Sequence, residues 1–348
     1  MTSPLVNPIS ECLGALAAGR PLTQEQVAAA FGAVMRGEAT GGQIGALLMG
    51  LRVRGETAAE IAGAARALRD AMVRVSVTGP HVIDTCGTGG GAVSTFNIST
   101  AAAVVAAAAG ATVAKHGNRS FTSACGSADV LEALGIRILH DAAAAARLLA
   151  ECRIAFLFAP QFHPAVRHVG AVRKDLGVTT VMNLLGPLAN PAGVRRQVIG
   201  VADADRAPLV AEALRLLDAE HALVVHGRLG MDEISPLGIT DVWEVRRGKT
   251  TQWTVDPAIY RLAIDDAAVL RGGAPAENAA RVERLLADGG ADPAGSAAVL
   301  LNAGAAIYVA GLSANYAEGI GRARQVLSAG AARAVLERWR KASVSISG

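Results

Sequence analysis

Four of the five residues in Gly87-Thr88-Gly89-Gly90-Gly91 are glycine. Such a run destabilises helix and strand alike and leaves backbone N–H groups unshielded by side chains. It lies between the apolar pair Val82-Ile83 and a helical stretch that starts near Ser99. That setting predicts a loop whose amides cradle phosphate oxygens, with a plain tight turn as the bland alternative. No Lys-Ser or Lys-Thr follows at P-loop spacing, and the run does not read cleanly as G-x-G-x-x-G with an acidic residue about twenty positions on.

Asn97-Ile98-Ser99-Thr100 stands at the expected helix start. Asn, Ser and Thr are ordinary N-caps, yet polar side chains at a helix N-terminus just past such a loop also suit an anion or metal–phosphate group. A second polar stretch is Lys115-His116-Gly117-Asn118-Arg119-Ser120-Phe121-Thr122-Ser123, ending near Gly126-Ser127. It offers two cations, an imidazole, an amide and several hydroxyls. It leaves the apolar run Ala101 to Ala114, and ligands of open α/β sheets bind beyond the carboxyl ends of strands; a plain surface loop is therefore the poorer reading. The third stretch, His226 to Glu233, ends in adjacent carboxylates. These are either solvated turn residues or ligands for Mg²⁺, which takes oxygen donors and bridges to substrate phosphates. On an extended backbone Asp232 and Glu233 point to different sides. Together the three stretches predict a site for a polyphosphorylated ligand with magnesium.

The elements that must position these residues follow from periodicity. The first eighty residues read as helix, with capping boxes at Thr23/Gln26 and Thr57/Glu60 and apolar stripes Val27-Phe31-Val34, Ile44-Leu47-Leu48-Leu51 and Ile61-Ala65-Leu68-Met72. After Pro80 short apolar runs alternate with helices. Strands are expected at Val82 to Gly87, Ala111 to Ala114, Ile154 to Phe158, Gln197 to Val201 and Ala222 to Val225, with a hairpin around Gly248. That alternation argues for a mostly parallel sheet flanked by helices. The last ninety residues read mostly as helix again.

Composition bounds the rest. The 348 residues are 51% hydrophobic, 18% charged and 3% aromatic, so the core is built from Ala, Val, Leu and Ile. A net charge of +3 with scattered Lys and Arg gives no basic stripe, and no nucleic-acid partner is expected. The apolar run Ala101 to Ala114 is shorter than the roughly 20 residues of a spanning helix, and no membrane partner is expected. Cys12, Cys86, Cys125 and Cys152 form no C-x-x-C pair, and the N-terminus carries no signal-like segment; a reduced, cytoplasmic chain is the expectation.

Asp84 to Gly90, Phe96 to Thr100, Val113 to Ser120, Gly126 to Gly135, Asn183-Leu184-Leu185-Gly186-Pro187-Leu188 and Gly230-Met231-Asp232-Glu233 resemble, in order, the motifs of the anthranilate phosphoribosyltransferases. The resemblance implies an α/β domain with a mostly parallel sheet plus a small all-helical domain, a fold shared with pyrimidine nucleoside phosphorylases. The helical domain would take residues 1–78 with an insertion of roughly 163–192, and the α/β domain residues 79–162 and 193–348. The implied reaction moves phosphoribose from 5-phosphoribosyl 1-pyrophosphate to anthranilate, releasing pyrophosphate, in L-tryptophan biosynthesis. A homodimer formed through the helical domain is implied as well.

The resemblance also implies roles. Gly87, Gly90, Gly91 and Thr95 would line the sugar–pyrophosphate loop, and Asn97, Ile98, Ser99 and Thr100 would hold pyrophosphate and metal. Lys115, His116, Gly117, Asn118, Arg119, Ser120, Phe121, Thr122, Ser123 and Ser127 would surround the phosphates. Gly87, Asn118, His163, Arg173, Gly186 and Pro187 would meet anthranilate, Arg173 through its carboxylate. Ser99, Asp232 and Glu233 would bind Mg²⁺. Because an aromatic amine is neutral, no strong general base is required before attack.

The chain departs from the pattern at Gly91, where Asp is common, and at Ala124-Cys125, where Lys-Ser is common. Loss of the carboxylate at 91 predicts an altered Mg²⁺ dependence. A nucleoside phosphorylase of the same fold is the rival enzyme, and Asp232-Glu233 counts against it. A non-catalytic nucleic-acid-binding relative is the rival from another class, and no basic groove supports it.

Overall fold

The structure, a computed structural model, describes residues 7–119, 124–287 and 289–346. Four helices come first: α1 (Pro8–Ala17), α2 (Gln24–Met35), α3 (Gly41–Arg54) and α4 (Ala58–Asp70). Both expected capping boxes form, and Thr40 with Gln43 makes a third at α3. Each such cap contributes about 1 kcal/mol. The third is hard to read because Gly41-Gly42 fills the first turn with the residue of low helix propensity. The three apolar stripes are buried in a common core, except that Met72 at the end of the third is buried outside it.

The chain then alternates: β1 (Val82–Gly87), α5 (Ile98–Ala108), β2 (Thr112–Gly117), α6 (Ser127–Ala133), α7 (Ala142–Cys152), β3 (Ile154–Phe158), α8 (Ala159–Phe162), α9 (Arg167–Leu176), α10 (Met182–Leu188), β4 (Arg196–Gly200), α11 (Ala207–Leu216), β5 (His221–Gly227), β6 (Thr240–Arg246) and β7 (Lys249–Val255). Four helices close it: α12 (Pro275–Ala287), α13 (Pro293–Val309), α14 (Tyr316–Ser328) and α15 (Ala331–Ser345).

The seven strands form one sheet in the order β3-β2-β1-β4-β5-β6-β7. The pairings from β3 to β5 are parallel, and the hairpin β6–β7 adds an antiparallel edge. Arg247 and Gly248 both have positive φ at its turn, the geometry whose twist matches that of paired strands. Strand order reverses between β1 and β4, so the crevice beyond their carboxyl ends is where ligands of such sheets bind. One face is covered by α5 and α13; the other shares its core with α1 to α4, with α11, and with Val169, Val181, Leu184 and Leu188 of the segment between β3 and β4.

Two strand ends differ from the sequence reading. β2 runs through Lys115 and His116 to Gly117, and β5 runs through His226 to Gly227. A charged or polar residue normally marks a strand end, but here each finds an interior partner. Lys115 Nζ donates to the Thr85 carbonyl at 2.6 Å, and His226 Nδ1 lies 2.9 Å from the Val201 carbonyl. Between α8 and α9 the chain makes a 3₁₀ turn, Pro164–Val166.

Candidate active site

The glycine loop turns over the end of β4. Thr88 N donates to the Gly200 carbonyl at 2.9 Å, and the Thr88 hydroxyl accepts Ala202 N–H at 3.2 Å. Gly89 and Gly90 take φ of 70° and 77°, which a side chain would strain. The acidic segment lies directly against this loop. Gly89 N donates to Asp232 Oδ2 at 2.8 Å, and Ala92 N donates to the Gly230 carbonyl at 2.8 Å. A Cβ at Gly87 would collide with the Asp232 carboxylate, and one at Gly200 with the Asp232 main chain.

Glu233 reaches the other way, to the start of α5, where Oε1 accepts Ser99 N–H at 3.2 Å. The pair therefore splits between two elements, and it does so in a bend after the bridge at Met231 rather than on the extended backbone that the sequence suggested. Burial, with neighbouring Asp232, pushes the Glu233 carboxyl up to about 8. Burial also raises Asp232, against the Gly89 N–H. Two carboxylates in this state, with the Ser99 hydroxyl beside them, fit a divalent cation that is completed by phosphate oxygens. Among the described residues no three His, Cys, Asp or Glu side chains group around one point, so this is not an all-protein metal cage.

Beneath the pair lies a charged floor. Lys115 is 2% exposed, and its Nζ also lies 3.3 Å from Ser99 Oγ. Burial lowers its basicity, opposed by Asp84. Asp84 is fully buried; Oδ1 accepts His116 N–H at 3.2 Å and Oδ2 accepts Asn190 Nδ2 at 2.8 Å. Asn190 also donates to the Ala114 carbonyl at 2.8 Å, tying the end of the α9–α10 segment to β1 and β2.

A second group sits around His116 and His163. Their rings are 5.0 Å apart and both are buried. His116 Nδ1 lies 3.1 Å from the Gly186 carbonyl, while His116 Nε2 and both His163 nitrogens have no partner among the described residues. Burial pushes the imidazoles down to about 3 and about 4, so both are neutral at pH 7. Pro187 is held by Gln197 Nε2 on its carbonyl at 2.9 Å. Arg173, in the last turn of α9, is half-buried and pairs with no carboxylate among the described residues.

Other expected residues are placed differently. Ile98 and Thr100 are fully buried, and the Thr100 hydroxyl has no partner among the described residues. Asn97 occupies the N-cap position without capping; it donates to the Cys125 carbonyl at 3.2 Å and accepts Asn278 Nδ2 at 3.0 Å. The Thr95 carbonyl is where a Cβ at Gly272 would press. Arg119 is paired with Asp129 and Glu132 of α6, at 2.7 Å each. Ser127 Oγ donates to the Asn118 carbonyl at 3.2 Å and lies where a Cβ at Gly117 would point. Ser120, Phe121, Thr122 and Ser123 lie outside the described residues.

Four supporting residues carried no role in the sequence reading: Asp84, Asn190, Gly200 and Asn302. A buried acid inside an apolar strand was a visible signal for Asp84. The others gave no local one, because the partners that place them at the site lie far along the chain, Asp232 for Gly200, Asp84 and Ala114 for Asn190, and Ile234 for Asn302.

Comparison with known proteins covers both parts of the chain. Residues 10–72 match the helical bundle domain of the glycosyl transferase family, and residues 79–333 its a/b domain. Anthranilate phosphoribosyltransferase of Roseiflexus castenholzii is 49% identical over 95% of this chain and 97% of its own length. The crystal structure of that enzyme from Thermus thermophilus superposes with a TM-score of 0.90 at 41% identity, covering 97% of this chain and 99% of its own. The Saccharomyces cerevisiae enzyme in complex with PRPP and Mg superposes with a TM-score of 0.88 at 29% identity, over 97% and 98% of the two chains.

Proposed function

The chain belongs to the anthranilate phosphoribosyltransferase family, and on that footing we propose how its cleft divides the work. The reaction transfers phosphoribose from 5-phosphoribosyl 1-pyrophosphate to the amine of anthranilate, giving N-(5-phosphoribosyl)anthranilate and pyrophosphate, in L-tryptophan biosynthesis. The observation that carries the assignment to this cleft is the meeting of Asp232 and Glu233 with the glycine loop and Ser99 at the β1/β4 switch point.

The amides of Gly87 to Gly91 and the start of α5 take the pyrophosphate. Backbone N–H groups of the loop and of the helix N-terminus, exchanging contacts such as those of Gly89 with Asp232 and Ser99 with Glu233, stabilise the charge that grows on this leaving group. Asp232, Glu233 and the Ser99 hydroxyl hold Mg²⁺, which when bound neutralises phosphate charge. Lys115 sets the floor and orients Ser99. Gly90, Thr95, Asn97, Asn118 and Ser127 shape the wall around the phosphoribosyl group.

Anthranilate lies between His116, His163 and Gly186-Pro187, with Arg173 pairing its carboxylate in bidentate fashion. Neutral imidazoles suit a neutral aromatic amine, since a cation there would repel the charge developing on the ribose. Holding amine and ribose in line supplies much of the rate. The helical domain comprises residues 1–78 with the 163–192 segment, the enzyme is a homodimer through that domain, and it works in the cytoplasm. Among the described residues no helix is long and apolar enough to cross a membrane.

The direct test is loss of anthranilate fluorescence on adding phosphoribosyl pyrophosphate and Mg²⁺, each omitted in turn. Loss requiring all three components is expected. Phosphorolysis of a nucleoside in place of this reaction would favour the rival enzyme of the same fold.

A further inference from the structure

Asn302 lies in the middle of α13, 3% exposed, and its amide bonds both a distant peptide segment and its own helix. Its Oδ1 accepts Ile234 N–H at 3.0 Å, and its Nδ2 donates to the Ile234 carbonyl at 2.9 Å and to its own helix at the Ala298 carbonyl, 2.9 Å. The two bonds to Ile234 fix both faces of the residue that follows Asp232-Glu233. The bond to Ala298 locks the side-chain rotation, so the grip is rigid on the helix side as well.

That helix is a firm anchor. It is buried from Gly295 to Val309, and the Tyr308 hydroxyl ties its far end to Glu244 of β6 at 2.8 Å. A Cβ at Gly304 would strike the main chain of Ile320 in α14, so the two helices are in backbone contact. Asn302 also borders, with Thr85, Ser99 and Glu233, a small cavity of about 10 Å³, room for one water molecule. The acidic segment has no helix or strand hydrogen bonding of its own after the bridge between Gly227 and Met231. Its carboxylates are aimed in opposite directions, at Gly89 and at Ser99. A rotation of the peptide at 234 would swing Glu233 away from Ser99.

We infer that Asn302 is a positioning residue for the metal carboxylates: it clamps Ile234 so that Asp232 and Glu233 are held in their split arrangement before any ligand arrives. The inference rests on the reading of Asp232 and Glu233 as the magnesium ligands. Residues that orient metal ligands typically change metal affinity by 10–100-fold when altered.

The test uses the full-length enzyme with phosphoribosyl pyrophosphate and follows Mn²⁺ binding by electron paramagnetic resonance, alongside KM for anthranilate at saturating Mg²⁺. Asn302→Leu keeps the shape and removes the hydrogen bonds; Asn302→Ser is the smaller substitution should the first fail to fold. Expected is about a tenfold weaker Mn²⁺ midpoint, with anthranilate KM within about twofold of wild type. A lowered melting temperature with an unmoved Mn²⁺ midpoint would make Asn302 merely structural and overturn the inference. Hydrogen exchange of residues 231–235 in the unliganded wild type needs no variant: protection before ligand supports the clamp, and protection that arises only with metal and substrate sinks it. Asp232→Asn/Glu233→Gln serves as the reference. If that double variant leaves the midpoint unmoved, the ligand assignment itself fails, and the inference with it. If the double variant moves the midpoint and the Asn302 variants do not, the inference alone fails.

Discussion

The two ends of the cleft, one proposed above for phosphate and the other for the aromatic acid, are prepared in opposite ways. At the phosphate end the groups are already engaged with one another: Asp232 with Gly89 N–H, Glu233 with Ser99 N–H, Lys115 with Thr85 and Ser99. At the aromatic end, among the described residues, His116 Nε2 and both nitrogens of His163 make no hydrogen bond of good geometry, with only the Ala189 backbone acting on His163, and Arg173 pairs with no carboxylate. A ligand at the first end must exchange for contacts the protein makes with itself. At the second end it completes hydrogen bonding that the fold leaves open. An exchanging site tolerates its highly charged ligand's absence without stranding buried charge. An open site gains discrimination, since a molecule lacking the matching group leaves a buried polar atom unpaired.

The largest expected effect is therefore at the phosphate end. Asp232→Asn/Glu233→Gln should lower kcat/KM by about 100-fold or more at fixed Mg²⁺, in the range typical of a lost electrostatic stabiliser, while the fold persists, since the amides keep the side-chain shapes and burial already favours the neutral form of each carboxyl. Activity within about threefold of wild type would remove these carboxylates from the mechanism.

Next is Arg173→Ala, which should raise KM for anthranilate by about 10–100-fold, the worth of a charge-assisted pair, with the KM for phosphoribosyl pyrophosphate little changed. Equal loss for both substrates would show that the two ends are not independent and would break the comparison.

Acid should act on the two buried imidazoles in the destabilising direction, opposite to the raised carboxyls of Asp232 and Glu233, which bind protons more readily folded than unfolded. His116 and His163 are held neutral in the fold, to about 3 and about 4, but take up a proton near 6.5 when unfolded. The unfolded state binds more protons below pH 6.5, so stability is full above that value and is lost as pH falls toward 4. Each imidazole contributes a slope of about 1.4 kcal/mol per pH unit in that window. Thermal denaturation of His163→Gln across pH 4–7 should show a shallower acid limb than wild type; parallel limbs would refute this.

The smallest effect is at Gly91. A Cβ there would lie 2.9 Å from the Gly230 carbonyl and 3.3 Å from Asp232 Oδ1. Gly91→Asp would crowd a carboxylate against another one, so the Mg²⁺ titration should shift by a few-fold with little change in maximal rate. Superimposable titrations would show that the missing charge at 91 has no bearing on metal use.

Much of the architecture was legible in the linear pattern. Capping boxes, the 3.6-residue stripes of α2 to α4 and the strand–helix alternation after Pro80 are local signals, and they gave the sheet and the helical part with strand ends wrong at Lys115, His116 and His226. Those ends were misplaced because polarity usually means solvent, whereas these side chains are satisfied inside. Motif spacing brought the glycine loop, Ser99 and the Asp232-Glu233 pair to one reading, and the structure brings the same residues into hydrogen-bonding contact. Tertiary structure alone decided the rest: that Arg119 faces Asp129 and Glu132, that Thr100 is sealed in the core, that Gly200 has no Cβ because the Asp232 main chain lies there, and that Asn190 and Asn302 hold segments 76 and 68 residues distant. The physical reason is the range of the interactions. Propensity, capping and turn chemistry act within a few residues and leave a trace in the sequence, while a hydrogen bond or a steric fit between distant segments depends on where the chain returns, which no single stretch of residues records.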